Sequence, residues 1–127
     1  MRYVLVGGSA AAVSAVEAIR SVDRSSTIDL FSDEKTALFS RVLLPYYVAE
    51  ELSKPLLNFR SADFFEENNV TAHIGVRVKE INPDSKTVAA ADGNTYEYDK
   101  LLLASYPPCN FLPLPLLKVL VLPSQKR

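Results

Sequence analysis

Glycine is scarce in this chain of 127 residues, which has four of them against eight prolines. Cysteine is scarcer still. Cys109 stands alone, so no disulfide can close within the chain and no C-x-x-C pair offers a metal or redox site. Set among prolines, with no second thiol or histidine near it in sequence, it is expected to pack rather than react, and the default compartment is the cytoplasm. An excess of charge of one sign is missing too: 14 basic side chains face 15 acidic ones. That removes the electrostatic case for nucleic acid or an anionic membrane as partner. Long apolar runs are also absent. The stretch FLPLPLLKVLVL at 111–122 is broken by Pro113, Pro115 and Lys118 and is too short to span a bilayer. The apolar residues 3–6 follow no charged segment and stop at Gly7 and Gly8, so neither a signal peptide nor a transmembrane segment is expected.

What is present suits one soluble domain with a core, 48% of the residues being hydrophobic and 23% charged. The chain opens MRYVLVGGSAAAVSAVEAIR. Residues 3–6 form a short, continuously apolar run, the pattern of a strand buried on both faces. Ala12, Val13, Val16 and Ile19 then recur at helical spacing with Glu17 and Arg20 turned away, which predicts a helix over 10–21. TIDLF at 27–31 reads as a second strand, and a right-handed crossover makes the two strands parallel neighbours.

Residues 39–52, FSRVLLPYYVAEEL, read as a loop entering a short helix with Pro45 near its start. Tyr46 and Tyr47 are expected to pack in the core or at its edge. Ser61 is placed to cap a second short helix, ADFFEENN, with Phe64 and Phe65 inward and a left-handed exit at Asn69. VTAHIGVRV at 70–78 alternates like a strand, which puts His73 on the surface rather than at a catalytic centre. Turn signals at 82–85 and 92–94 then separate three short strands, near 76–81, 86–91 and 95–98, that read as an antiparallel meander. KLLLA at 100–104 is expected to be a further buried parallel strand. No repeat or low-complexity segment interrupts the series.

A strand, a glycine turn and a helix bring free backbone N–H groups and the positive helix end to one spot, which suits a pyrophosphate. The G-x-G-x-x-G fingerprint would put glycine at positions 7, 9 and 12. Here those residues are Gly7, Ser9 and Ala12, with Gly8 inside the turn. Ala12 is tolerated where helix meets strand, but Ser9 adds bulk where backbone should approach phosphate, although its hydroxyl can donate a hydrogen bond. Asp33 follows Ala12 by about twenty residues, the spacing of the carboxylate that accepts from ribose hydroxyls, and Glu34 stands one step along. Without a nucleotide, the same features are a tight α/β turn and two solvated charges.

Taken in order, YVLVGGSAAAVSAVEAIR, FSRVLLPYYVAEEL, FFEENNVTAHIGVRVKEINPDSKTV and DGNTYEYDKLLLAS resemble the N-terminal part of FAD-dependent pyridine-nucleotide oxidoreductases. The likeness is to the group around the nitrite reductase flavin subunit and rubredoxin reductase, and it runs to about residue 112. It implies an α/β, Rossmann-like FAD/NAD(P)-binding fold whose parallel sheet is crossed by a three-stranded antiparallel β-meander. It also implies that the turn from Gly7 to Ala12 faces the FAD pyrophosphate and that Asp33 or Glu34 holds the adenosine ribose. Arg41 stands where the family has a basic residue on the flavin side, beside Val42 in place of the usual proline. Val78 matches the residue whose backbone meets the adenine. The family closes the segment matching YDKLLLA with Thr-Gly, packed on the cofactor. Ala104 and Ser105 stand there, and Tyr106, replacing the glycine before Pro107 and Pro108, implies a rebuilt turn.

The reading that follows is a truncated FAD-binding portion, 1–110, of an NAD(P)H-dependent flavoprotein oxidoreductase. No counterpart of the family's NAD(P)H module is seen in the sequence, so this portion is not expected to turn over alone. Its ligand is an adenine-containing dinucleotide, FAD, with no catalytic residue and no metal of its own. Two alternatives stay open: an interaction module that has lost its cofactor, and a stand-alone adenine-nucleotide binder. The apolar tail, 111–127, with a strand-like KVLVL at 118–122, is expected to join two chains in a symmetric dimer.

Overall fold

The computed structural model describes residues 1–36 and 38–105. The expected boundary near 110, the tail with its dimer contact, Cys109 and the Tyr106 turn lie outside the described residues. The chain begins with β1 (Arg2–Val6), α1 (Ala10–Val22) and β2 (Thr27–Ser32). A 3-10 turn (Arg41–Leu43) leads into α2 (Leu44–Val48), and a second (Lys54–Leu57) precedes α3 (Phe64–Glu67) and β3 (Val70–Ile74). The hairpin strands β4 (Val78–Asn82), β5 (Thr87–Ala90) and β6 (Thr95–Glu97) then lead back to β7 (Lys100–Leu103).

Two sheets result. The first has the order β3-β2-β1-β7 with every neighbour parallel. The second is the antiparallel β4-β5-β6. Between β3 and β7 the chain therefore crosses over through a meander, and the Rossmann-like α/β architecture expected from the sequence is the one observed.

Alternation along the central strands builds a core on each face. Leu5, Ile28 and Leu30 point to one side, where Ala12, Val13 and Val16 of α1 and Phe64 of α3 meet them. Val4 and Phe31, one residue out of step, point to the other side and meet Val88 and Ala90 of the meander. This is why the apolar runs of β1 and β2 are continuous: each strand is covered twice. Ala12 is fully buried, and its single methyl lets α1 come close to the sheet.

Four expectations about elements need correction. The strand over 100–104 is not buried: β7 is an edge, and Leu102 and Leu103 are 38% and 45% exposed because among the described residues nothing covers them. The alternation of 70–78 is not one strand, since Gly75 takes φ +79 and divides β3 from β4. Ser61 does not cap α3 with its hydroxyl. Its carbonyl accepts from Phe64 N–H at 3.3 Å, Asp63 takes the cap position, and the helix is a single turn. Tyr46 and Tyr47 are 52% and 40% exposed, because α2 is too short to turn a full face to the core. The exit at Asn69 is left-handed as expected, with φ +49.

Candidate functional site

The C-terminal ends of β1, β2 and β7 meet at one edge of the parallel sheet, the place where such sheets bind ligands. At the end of β1, Gly7 adopts φ +119 and donates its N–H to Phe31 O at 2.7 Å. A Cβ there would lie 2.6 Å from the carbonyl carbon and oxygen of Ala104, so the residue must be glycine for β7 to pass. Gly8 faces β2, where a Cβ would come within 2.9 Å of Ser32 Oγ. Ser9 is the cap residue of α1, yet its side chain makes no cap bond to the helix. Its hydroxyl donates instead to Ala104 O at 2.9 Å, while Ala104 N–H donates to Val6 O at 2.8 Å. The first turn of α1 holds no acidic residue, so its backbone N–H groups keep the positive character of a helix start.

One strand over, the buried hydroxyl of Ser32 accepts from Glu34 N–H at 3.3 Å, and Glu34 O accepts from Gly75 N–H at 3.2 Å. The Glu34 carboxylate forms an ion pair with Arg41, whose guanidinium also lies 5.8 Å above the Phe39 ring. Asp33 is exposed and enters no ion pair among the described residues. Val78 opens β4 opposite Ala90, its side chain packed in the meander-side core.

The expected residues thus fall into two groups. Gly7, Gly8, Ser9, Ala104 and Ser105 form one, with Ala12 buried beneath it. Glu34, Arg41 and the loop from Gly75 toward Val78 form the other, with Asp33 beside it. Ser32 touches both, and sequence reading passed it over. Its signal was modest: a small polar residue closing an apolar strand just before two acids.

His73 is not the surface residue expected. Its side chain is 19% exposed, bonded through Nε2 to Asp29 Oδ1 at 3.0 Å and stacked on Phe31 at 4.3 Å. Tyr96 meets it edge-on from the meander and donates its hydroxyl to Asp92 at 2.7 Å. The cluster joins the two sheets, and through Phe31, whose carbonyl accepts the Gly7 N–H, it abuts the strand end that carries the glycine turn. It escapes sequence reading because His73 and Asp29 pair across strands rather than along one. Among the described residues no cluster of histidine, cysteine or acidic side chains could hold a metal, and no helix is long and apolar enough to cross a membrane.

A parallel sheet bearing this turn, with a meander between its third and fourth strands, defines the Rossmann-like α/β fold that FAD/NAD-binding oxidoreductases share. The chain belongs to the pyridine nucleotide-disulphide oxidoreductase family, whose profile matches residues 1–107. The family is one of NAD(P)H-dependent flavoprotein oxidoreductases. Over 104 residues the chain is 33% identical to the NADH-dependent phenylglyoxylate dehydrogenase subunit epsilon of Aromatoleum evansii, a match covering 82% of this chain and 25% of that protein. It is 29% identical over 106 residues to a rubredoxin-NAD(+) reductase of Ectopseudomonas oleovorans, covering 83% of this chain and 28% of the relative. Among solved structures, putidaredoxin reductase in its covalent complex with putidaredoxin superposes with a TM-score of 0.73 at 28% identity, over 82% of this chain and 25% of that one. The chain spans about a quarter of the length of these relatives.

Proposed function

We propose that residues 1–110 are the FAD-binding N-terminal portion of an NAD(P)H-dependent flavoprotein oxidoreductase, located in the cytoplasm. Its part in that protein is to bind an adenine-containing dinucleotide. One observation supports the reading: Ser32, which ends β2, lies against Gly8 of the glycine turn and accepts from the backbone N–H of Glu34, so the turn and the two acids that follow β2 share one end of the sheet. A pyrophosphate and its ribose need both at that end.

The residues present fit the group. Gly7 and Gly8 leave no Cβ in the turn, and the first N–H groups of α1 carry no side-chain cap, so a pyrophosphate meets backbone donors. Asp33, without an ion pair among the described residues, accepts from the ribose hydroxyls, while Glu34 holds Arg41 toward the flavin side. Val78 offers its backbone to the adenine, and Ala104 and Ser105 close the site from β7. Bound FAD would supply the redox centre, and this chain's part is to hold it.

Calorimetry with FAD and with ADP tests the reading. Both ligands are expected to bind, and Asp33→Asn is expected to cost about 1.5–3 kcal/mol, the worth of a hydrogen bond to a charged group. Binding of neither ligand would overturn the proposal, and an unchanged Asp33→Asn variant would move the ribose contact to Glu34. A second reading, an assembly module without cofactor, draws on the exposed side chains of Val42, Val48, Leu102 and Leu103. It is favoured if purified protein is colourless and silent toward both ligands.

A further inference from the structure

Ser9 stands where the dinucleotide fingerprint has its middle glycine, and its hydroxyl faces away from the helix it begins. A serine at a helix N-cap ordinarily accepts from the N–H two or three residues on. Ser9 has the extended backbone of such a cap, φ −83 and ψ 175, but makes no cap bond and donates to Ala104 O at 2.9 Å. Two consequences follow. The first-turn donors of α1, which a capping serine would occupy, are left unoccupied by Ser9. The Ala104 carbonyl, which closes β7, is fastened to the start of α1 from a residue 95 positions away.

Ala104 is held on two other sides as well. Ala104 N–H is bonded to Val6 O at 2.8 Å, and its carbonyl group lies where a Cβ on Gly7 would be. Val6 O and the Ser9 hydroxyl thus hold the two peptide groups that flank Ala104, just past β7, and the bare Cα of Gly7 lets them come this close. A glycine at position 9 would allow closer approach of backbone to phosphate but would release the bond to the Ala104 carbonyl.

We infer that Ser9 is a positioning residue of the nucleotide site. Its hydroxyl locks the Ala104–Ser105 peptide to the pyrophosphate turn and, by turning outward, leaves the helix N–H groups to the anion. The inference rests on the dinucleotide-binding reading above and deepens it. It also separates two effects of a glycine substitution that the fingerprint alone would merge: Ser9→Gly gains room but loses the lock, so affinity is not expected to rise.

The test uses the full chain and the variants Ser9→Ala, Ser9→Gly and Ser9→Thr, with adenosine, ADP and FAD as probes. Ser9→Ala is expected to weaken ADP and FAD binding by roughly fivefold, the equivalent of one ordinary hydrogen bond. Adenosine, which does not reach the pyrophosphate turn, should bind all variants alike, a split that general loss of structure would not produce. Ser9→Thr, which keeps a hydroxyl, should restore ADP affinity. Amide exchange at Ala104 should quicken in Ser9→Ala and Ser9→Gly and recover in Ser9→Thr. Wild-type binding with undiminished ADP affinity in Ser9→Ala overturns the positioning role while leaving the nucleotide reading intact. Stronger ADP binding by Ser9→Gly also overturns it. Failure of the wild type to bind ADP or FAD instead removes the nucleotide reading, and the positioning role with it.

Discussion

A methyl group on Gly7 would collide with the backbone of Ala104, and φ +119 is closed to L side chains in any case. Gly7→Ala is therefore expected to lower stability by at least about 2 kcal/mol, seen as a shift in the denaturant midpoint. A midpoint equal to wild type would mean that β7 can move aside. The collision is with protein backbone, so loss of nucleotide binding in a bulkier variant reports folding as well as the phosphate cradle. Glycine scarcity is informative here. Three of the four glycines take positive φ, but only Gly7 is also pressed against another strand.

At the scale of elements, Arg20 holds the end of α1 to two loops. Its guanidinium donates to Asn68 O at 2.6 Å, Asn69 O at 3.0 Å, Ser26 O at 2.8 Å and Asp23 O at 3.1 Å. The planar fork reaches all four carbonyls, and a lysine ammonium cannot. Arg20→Lys should cost about 1.5–3 kcal/mol, a loss that chemical denaturation would resolve. Equal stability would show that the carbonyls find water instead. Between the same helix and β2, Asp23 gathers Ser25 and Ser26. The Ser26 hydroxyl, aided by the Ser26 and Ser25 N–H groups, lowers its pKa from 3.8 to about 2. A carboxyl whose pKa falls on folding stabilises the fold above its unfolded value and loses that contribution as pH drops through the folded one. The effect of Asp23 is thus complete above about pH 4 and fades toward pH 2. Thermal melts of wild type and Asp23→Asn should converge over that window and stay apart at neutral pH. Curves that remain parallel down to pH 2 would contradict the turn geometry.

At the scale of the whole molecule, the parallel sheet ends among the described residues in β3 on one side and β7 on the other. β7 presents an outer edge with half-exposed Leu102 and Leu103, and α2 adds exposed Tyr46, Tyr47 and Val48. Open parallel edges invite pairing with another chain. The 127-residue protein is expected to self-associate, with a two-fold dimer as the simplest closed form. Light scattering should return twice the chain mass, and Leu103→Lys should shift the population toward monomer. A monomer at every concentration rejects the expectation, and a dimer indifferent to Leu103→Lys places the contact away from β7.

The sequence by itself determined the succession of elements. The apolar run of β1, the helical spacing of Ala12, Val13 and Val16, and the turn signals at 82–85 and 92–94 are local periodicities, imposed by side chains on their own backbone whatever the rest does. The resemblance to the family was legible in the order of four segments along the chain, whereas the spacing of Gly7, Ala12 and Asp33 fits a plain α/β turn as well. Tertiary structure decided what each residue faces. Ser9 reads as a misplaced bulk in the fingerprint and becomes the fastener of Ala104 only once β7 lies beside β1. Ser32 joins the two halves of the site because Gly8 leaves room against it. His73 alternates like a surface residue until Asp29 and Phe31 arrive on the neighbouring strand and Tyr96 from the other sheet. β7 is apolar enough for a core strand, yet the order β3-β2-β1-β7 leaves it at the edge. In each case the partner lies dozens of residues away, and no local pattern records a contact that only the packing of separate elements creates.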